Sequence, residues 1–150
     1  MVFFNDPVPI PDPAERAVNM AVAMREAAGA LIGSWRRRGR ELGFGAGIAQ
    51  GYATLGQIGF EHRREYSAIG GVTNLASRLC DEARPGQILI AQRALSTIEG
   101  SVKVSHVGDL NLKGFNRPIA AYDVLSWCEQ PAEIDPSEIV TSEGGRSGQE

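Results

Sequence analysis

The sequence predicts an α+β fold in which helices pack against one β-sheet. The first helix has apolar residues at alternating spacings of four and three, as expected for one buried helix face; they are Ala17, Ala21, Met24, Ala28, Leu31 and Trp35. A second helix is predicted over 72–83 and is closed by Arg84-Pro85-Gly86, because proline and glycine stop a helix. Apolar and alternating runs lie around both helices, and this mixed order is typical of an α+β sheet.

The predicted strands are short runs of apolar or alternating residues, at 2–4, 44–48, 52–55, 87–91, 102–104 with Val107, and 120–125. A short helix is predicted over 92–98 and a loop over 109–115. The glycines that alternate with Phe44, Ala46 and Ile48 indicate close backbone approach or a tight hairpin. They do not form a phosphate-binding loop, since neither GxxxxGK[ST] nor a complete GxGxxG leads into a helix there.

The first helix has recognisable start and stop residues. Proline lacks the amide donor, so the Pro-rich run at 7–13 cannot extend the strand predicted at 2–4. Asp12 is predicted to cap the helix, with Pro13 at the first helical position, where a missing amide is harmless. The helix is expected to end near Gly39.

Composition and charge indicate one soluble domain. With 150 residues, of which 43% are hydrophobic and 22% charged, the chain is long enough for one core. Its net charge of -3 provides no basic field to attract nucleic acid or an anionic membrane. Arg36-Arg37-Arg38 and Arg40 are interpreted as a solvated helix end, where the helix dipole favours positive charge.

Cysteine usage and the apolar runs predict a cytoplasmic protein. Cys80 and Cys128 form no CxxC pair, which indicates a reducing compartment without a disulfide framework or a zinc cluster. The N-terminus lacks the basic and apolar regions of a signal peptide, and no apolar run approaches membrane-spanning length. We therefore expect no direct insertion into a membrane.

The composition changes after Trp127. Residues 128–150 are rich in Glu, Ser, Gly, Pro and Gln, with too few large apolar side chains to offset the entropy lost on ordering. We therefore predict a folded domain over residues 1–127 and a disordered polar tail over residues 128–150.

The second predicted helix carries residues suited to phosphoryl chemistry. Asn74 and Arg78 lie one turn apart on one face of it, while Leu75 and Leu79 share another face that can be buried. Arginine presents a fixed fork of donors to anionic oxygens, and asparagine orients a ribose or phosphate oxygen without adding charge. Together they can project into whatever space lies beyond the helix.

Arg78 can be interpreted as a surface residue in an ion pair or as a residue that acts on a phosphate, and the surrounding sequence bears on this choice. Taken alone, Arg78 is better explained as a surface residue paired with Glu82, four positions on. However, the runs RREYSAIGGVTNLASRL at 63–79 and ARPGQILI at 83–90 resemble the class III nucleotidyl cyclase family. Shorter matches extend the resemblance over residues 1 to about 126; they are residues 2–4, residues 47–59, Leu112-Lys113-Gly114-Phe115 and Tyr122-Asp123-Val124.

Two positions depart from the family pattern. The family often has aspartate or asparagine where this sequence has Gly71, and valine where it has Thr73. We expect the first difference to affect only the turn, and the second to exchange one β-branched residue for another.

The resemblance implies roles for four residues. Asn74 matches the family residue that orients the ribose, and Arg78 matches the one that stabilises charge developing on the α-phosphate. Lys113 matches the residue that grips the terminal phosphates, although by itself it would be a solvated loop lysine. Ser67, seven residues before Asn74, matches the position that helps to read the purine.

Ser67 leaves the identity of the base open. In the family this position holds aspartate in mammalian-type adenylyl cyclases, threonine or serine in many bacterial ones, and usually cysteine in guanylyl cyclases. A serine hydroxyl both donates and accepts a hydrogen bond, so it does not by itself discriminate adenine from guanine. The resemblance favours ATP over GTP without deciding between them.

The resemblance also implies a ferredoxin-like cyclase sheet without its N-terminal metal-binding part. The two metal-binding aspartates and the base-reading lysine of the family precede the position of Met1, and Asp6 and Asp12 lack the strand context to replace them. No metal ligand is assigned in this chain, and Mg²⁺ or Mn²⁺ is expected to be bound by residues outside it. Each site in the family is shared by two subunits, so the expected partner is a second copy or a second cyclase domain.

The implied function is that of an adenylate cyclase, which converts ATP to 3',5'-cyclic AMP and pyrophosphate in intracellular signalling. This chain by itself is expected to be inactive, because it contributes one side of the site. Two alternatives stay open: a catalytically inactive module that dimerises or binds nucleotide, and a guanylate cyclase.

Overall fold

The computed structural model describes residues 1–60 and 63–128. Its helices are α1 (Pro13–Arg36), α2 (Gly71–Glu82) and α3 (Gln92–Leu95). Its strands are β1 (Ala46–Ile48), β2 (Thr54–Phe60), β3 (Arg63–Ile69), β4 (Ile88–Ala91), β5 (Val102–Leu110) and β6 (Ile119–Trp127). Four strands form a sheet in the order β1-β4-β6-β5, in which only β1 and β4 are parallel neighbours, and β2 and β3 form a separate antiparallel hairpin.

Strand β4 lies between two apolar cores. All four of its residues are buried, and successive side chains point to opposite faces of the sheet. Ile88 and Ile90 pack in one cluster with residues of α1 and α3, whereas Leu89 and Ala91 pack in another with Leu79 of α2. Helices therefore cover both faces of the sheet, and the α+β prediction is confirmed.

Helix α2 lies directly against β1. A Cβ atom at Gly47 would be 2.3 Å from the carbonyl oxygen of Ala76 and 2.3 Å from the amide nitrogen of Cys80. Only a glycine allows the helix backbone to approach the strand this closely. The close backbone approach predicted from the dense glycines is therefore found at this position.

Helix α1 begins at Pro13, as predicted, and ends at Arg36, three residues before the predicted end, with a turn over 37–39. The predicted cap is wrong. Asp12 occupies the N-cap position, but its side chain makes no capping hydrogen bond. Its backbone is left-handed, with φ 52° and ψ 52°, rather than in the extended conformation from which an N-cap side chain reaches the first amides.

The predicted apolar face of α1 is correct only in part. The residues that are buried are Ala14, Val18 and Ala21. Three members of the predicted face are instead exposed, by 46%, 63% and 41% respectively: Met24, Leu31 and Trp35. The helix is therefore rotated about its axis relative to the prediction.

Arg25 explains this rotation. It follows Ala21 by four positions on the inward side, and its guanidinium donates from Nη1 to the carbonyl of Val124 at 2.8 Å and from Nη2 to that of Leu125 at 2.9 Å. Charged donors make strong hydrogen bonds to carbonyl oxygens, particularly where part of the site is shielded from water. The charged side chain of Arg25 therefore points inward at this level of the helix, where the apolar pattern had predicted Met24.

Several strand predictions need correction. Residues 2–4 form no strand, since their backbone finds no ladder partner in the described part of the chain. The strand predicted at 52–55 begins at Thr54 and continues to Phe60, and β5 extends to Leu110 because it pairs with β6. Strand β3 was not predicted, because its residues are mainly polar; its pairing with β2 defines it. The other elements agree with the predictions to within three residues.

The predicted tail at 128–150 falls outside the described residues except for Cys128, whose amide donates to the carbonyl of Ser101 at 2.9 Å. Residues 61–62 are not described either. In residues 1–60 and 63–128, no helix combines the length and the apolar character needed to cross a membrane.

Candidate functional site

Asn74 and Arg78 share the face of α2 that points away from the sheet. The helix is continuous, so residues four apart lie one above the other. Its sheet-facing side is defined by Ala76, whose carbonyl lies over Gly47, and by Leu79, which is fully buried. Asn74 is exposed, and the side chain of Arg78 is 42% exposed. The structure therefore brings the predicted pair together on an accessible surface.

The predicted burial of the leucine face is confirmed. Leu79 has no exposed surface, and Leu75 is partly buried against the same cluster. This arrangement fixes α2 on the sheet through one side only, because a helix with one apolar stripe buries that stripe and leaves the other face to solvent.

The turn that carries Lys113 rests on the same apolar cluster. Leu112 is 3% exposed and packs in the cluster that contains Leu79. The amide of Phe115 donates to the carbonyl of Leu112 at 3.1 Å, and Gly114 has φ 93°, the left-handed conformation required at the third position of a type II turn. Lys113 is exposed at the second position of that turn. One core therefore anchors both the lysine turn and the helix that bears Asn74 and Arg78.

Arg78 has a partner, but not the one considered from the sequence. Its Nη1 lies 3.2 Å from Oδ2 of Asp81, whose side chain is 61% exposed. The pairing with Glu82 is therefore wrong, and the ion pair spans three residues rather than four. Ion pairs as exposed as this one contribute about 0–1 kcal/mol to the free energy of folding, because water screens them and holding two long side chains in one geometry costs entropy. Arg78 can exchange this partner for another anion at little cost.

Thr73 stabilises the first turn of α2, which the sequence comparison did not anticipate. Its hydroxyl donates to the carbonyl of Gly70 at 2.7 Å, and its amide lies 3.2 Å from the same oxygen. Hydroxyl residues near helix starts commonly make such local bonds. The valine usual in the family cannot, so the exchange of one β-branched residue for another is not neutral here.

Ser67 lies on β3, where it pairs with Gly56 and is half-buried. The neighbouring Tyr66 donates its hydroxyl to Oδ2 of Asp6. This hydrogen bond, followed by desolvation and by the negative charge of Asp6, raises the pKa of Tyr66 above its usual value. Asp6 thus ties the N-terminal segment to the strand that carries Ser67. No local signal reveals this contact, which joins residues sixty positions apart.

The described residues do not fit a metal site. Within residues 1–60 and 63–128, no three histidine, cysteine, aspartate or glutamate side chains lie close enough together to hold a metal ion. Asp6 is engaged by Tyr66, and Asp12 stands at the start of α1.

The four candidate residues all keep some solvent-accessible surface. Two surface cavities, of about 170 Å³ and about 230 Å³, are lined by other residues. Asn74 and Lys113 are exposed, and Ser67 and Arg78 are half-buried. The fold is thus an α+β sheet covered by helices, and one of these helices carries an amide and a guanidinium on its outward face. Such groups donate hydrogen bonds to anionic oxygens in many proteins.

Comparison with known families identifies that domain. Residues 1–126 match the family described as the adenylate and guanylate cyclase catalytic domain, and the chain belongs to this family. The resemblance inferred from the sequence is therefore confirmed.

Two curated relatives illustrate the extent of the match. An uncharacterized protein of Mycobacterium tuberculosis is 29% identical over 123 residues, which cover 79% of this chain and 21% of the relative. Adenylate cyclase 1 of Rhizobium meliloti is 29% identical over 125 residues, which cover 81% of this chain and 19% of the relative. The chain thus spans about a fifth of the length of these proteins.

Solved structures of both substrate classes share the fold. The adenylyl cyclase CyaB from P. aeruginosa is 34% identical, with a TM-score of 0.71, over 82% of this chain and 65% of that one. The guanylyl cyclase Cya2 is 31% identical, with a TM-score of 0.77, over 84% of this chain and 64% of that one. These values confirm the predicted fold, and one structure of each substrate class matches this chain at a similar level of identity.

Proposed function

We propose that this chain forms the substrate-binding side of an adenylate cyclase site, which converts ATP to 3',5'-cyclic AMP and pyrophosphate in intracellular signalling. The observation that supports the proposal is the placement of Asn74 and Arg78. They lie one turn apart on the outward face of α2, whose opposite face is buried through Leu79. Family membership gives that pair its chemical context.

Arg78 is the residue proposed to stabilise the transition state of the reaction. The 3'-hydroxyl oxygen of the ribose attacks the α-phosphorus and releases its proton to water, a new P–O bond forms, and the bond to the departing pyrophosphate breaks. Negative charge grows on the oxygens around phosphorus, and a guanidinium positioned there stabilises the transition state more than the ground state. Asn74, one turn earlier, holds the ribose so that its hydroxyl is aligned for attack.

Two further residues hold the ends of the nucleotide. Lys113 is assigned to the terminal phosphates, where a flexible ammonium neutralises the charge of the leaving group. Ser67 is assigned to the purine through its hydroxyl. Both belong to segments joined to α2, because the lysine turn packs on the core beneath α2 and β3 leads into α2 four residues after Ser67.

A partner is required because the surface is open on one side. We propose that a second copy, or a second cyclase domain, closes the site and brings the residues that bind Mg²⁺ or Mn²⁺. The described residues offer no metal-binding cluster of their own. The catalytic part is proposed to comprise residues 1–127, with a cytoplasmic location that suits the free thiols of Cys80 and Cys128.

Guanylate cyclase activity is the second candidate. The guanylyl cyclase Cya2 matches this chain with nearly the same identity as the adenylyl cyclase CyaB. The hydroxyl of Ser67 can donate to an acceptor or accept from a donor, so it suits either purine.

Complementation tests the proposal. The chain is mixed with a cyclase domain of the same family that keeps its metal-binding aspartates but carries alanines in place of its own asparagine and arginine on the corresponding helix. With ATP and Mn²⁺, we expect cyclic AMP from the mixture and none from either protein alone. Arg78→Ala should lower the rate at least about a hundredfold, as for the loss of one transition-state donor.

Arg84→Ala is the matched control, because Arg84 lies just beyond the end of α2 and its side chain has no assigned role. A normal rate in the mixture that contains the Arg78→Ala variant would show that Arg78 does not stabilise the transition state. Cyclic GMP formed from GTP in preference to cyclic AMP from ATP would replace the first candidate by the second. Nucleotide binding without any product would identify an inactive module.

A further inference from the structure

The C-terminal half of α1 forms one wall of an apolar groove with a basic rim. The groove has a volume of about 230 Å³, and its walls are formed by α1 and by the two loops that precede β1 and β4. The residues that matter for its chemistry are Arg25, Ile32, Arg36, Leu42, Phe44 and Pro85. Leu42 is 51% exposed, and Leu31 and Trp35 are exposed on the same half of the helix. Clusters of exposed apolar side chains often mark a surface that binds a partner.

The rim of the groove is strongly positive. Arg36 lines it, and Arg37, Arg38 and Arg40 follow immediately in the chain. Glu26 and Glu41 are the acidic residues of this stretch, so positive charge prevails by five arginines, counting Arg25, to two glutamates. An occupant of the groove should therefore be acidic as well as partly apolar.

Strand β6 ends beside this groove. Pro13 and Ala14 of α1 lie near Ile98, which follows the C-terminal end of β4, whereas Arg25 contacts Val124 and Leu125. Because β6 is antiparallel to β4, α1 and β6 run in the same direction. Beyond Arg25 the helix continues for about 16 Å at the usual rise of 1.5 Å per residue. The chain that leaves β6 therefore emerges alongside the C-terminal half of α1.

That departing segment has the composition the groove requires. Residues 129–150 contain six carboxylates and one arginine, and residues 129–143 also contain Ile134, Ile139 and Val140. The buried indole N–H of Trp127, one residue before Cys128, has no hydrogen-bond acceptor among the described residues. A segment that follows directly could supply one.

We propose that residues 129–143 dock into the groove in cis, with their carboxylates at the arginine rim and their apolar side chains against Ile32, Leu42 and Phe44. The link from Cys128 is short, so docking within one chain has a high effective concentration. Residues 128–150 are predicted to have no structure of their own, and this agrees with docking. A polar segment can become ordered when it binds a surface that supplies apolar contacts. This inference does not depend on the proposed enzymatic function.

Hydrogen exchange of the full chain, followed by mass spectrometry, tests the proposal. Amides of residues 129–143 should exchange at least about tenfold more slowly in the protein than in a synthetic peptide of the same sequence. Raising the salt to about 1 M shortens the screening length to about 3 Å and should reduce this difference. The comparison needs no variant, so it cannot fail through misfolding.

Two variants then locate the contact. Arg36→Glu reverses the charge at the arginine where the rim lines the groove, and Ile139→Asp removes an apolar contact from the segment itself, where it cannot unfold the domain. Each should return exchange of residues 129–143 to within about threefold of the free peptide. Arg117→Glu, at an exposed arginine in the connection between β5 and β6, is the matched control and should leave the slow exchange in place.

Three results would overturn the proposal. The first is exchange of residues 129–143 in the wild-type chain as fast as in the free peptide. The second is slow exchange that persists in Arg36→Glu, which would place the segment on another surface. The third is slow exchange that disappears when the protein is diluted about a hundredfold, which would show that the groove is filled by a second copy.

Discussion

Arg78 and Asp81 form an ion pair on the exposed face of α2, with 3.2 Å between Nη1 and Oδ2. The carboxylate occupies part of the guanidinium fork that is assigned to the α-phosphate. In the absence of nucleotide, the pair keeps Arg78 near the surface of its own helix. If Arg78 binds the α-phosphate as proposed, the phosphate must displace Asp81, and the low energy of an exposed ion pair makes this displacement easy.

Removing this competitor should strengthen nucleotide binding. We expect Asp81→Asn to increase the affinity for a triphosphate nucleotide by about twofold to about fivefold, which corresponds to an exposed pair worth less than about 1 kcal/mol. Binding of a fluorescent ATP analogue measures the change, and Glu82→Gln is the control because Glu82 does not pair with Arg78 in the structure. Weaker binding in Asp81→Asn would mean that the carboxylate orients Arg78 for the ligand instead of competing with it.

Loss of Lys113 should act mainly on nucleotide binding. A hydrogen bond to a charged group contributes about 1.5–3 kcal/mol, so Lys113→Ala should lower kcat/KM in the complementation assay by about tenfold to about a hundredfold. Lys113→Arg should keep most of the activity. Lys103→Ala removes an exposed lysine from β5 and provides the control. Equal activities of the Lys113→Ala and Lys103→Ala variants would show that the turn does not reach the phosphates.

Gly47→Ala should separate α2 from the sheet. The new methyl group would overlap the backbone of the helix, at 2.3 Å from the carbonyl oxygen of Ala76, and backbone cannot rotate away as a side chain can. Overpacking of this kind costs about 1–3 kcal/mol, and we expect the upper end of that range. Urea denaturation measures the free energy of unfolding. Gly71→Ala, where the methyl group meets no atom within 4 Å, should change it by less than about 1 kcal/mol.

The hydrogen bond between Tyr66 and Asp6 predicts that the stability of the folded state depends on pH in the alkaline range. Because the folded state raises the pKa of Tyr66, the stabilisation is complete below the ordinary value of about 10 and is lost as the pH rises through the folded value. Asp6→Asn should lower the pKa of Tyr66, as followed by the ultraviolet absorbance of tyrosinate. Tyr66→Phe identifies which titration belongs to this residue. An unchanged titration in Asp6→Asn would contradict the contact.

The local arrangement of the candidate site could be predicted from the amino-acid sequence. The spacing of Asn74 and Arg78, and of Leu75 and Leu79, specifies which residues of α2 share a face, because helix geometry is the same wherever the helix lies. The matching runs around that helix were sufficient to indicate the family. The dense glycines likewise pointed to a close backbone approach, which occurs at Gly47.

Contacts between distant segments, and the choice between two possible neighbours on the same helix, became clear only from the folded chain. Arg25 donates to carbonyls about a hundred positions away, and the apolar spacing within α1 gives no sign of this contact. Strand β3 exists because β2 lies beside it, and Tyr66 finds Asp6 across sixty positions. Asp81 and Glu82 were both within reach of Arg78 along the helix, and side-chain placement selected the nearer residue. These outcomes depend on packing and pairing of the whole chain, whereas a sequence pattern records the local backbone geometry alone.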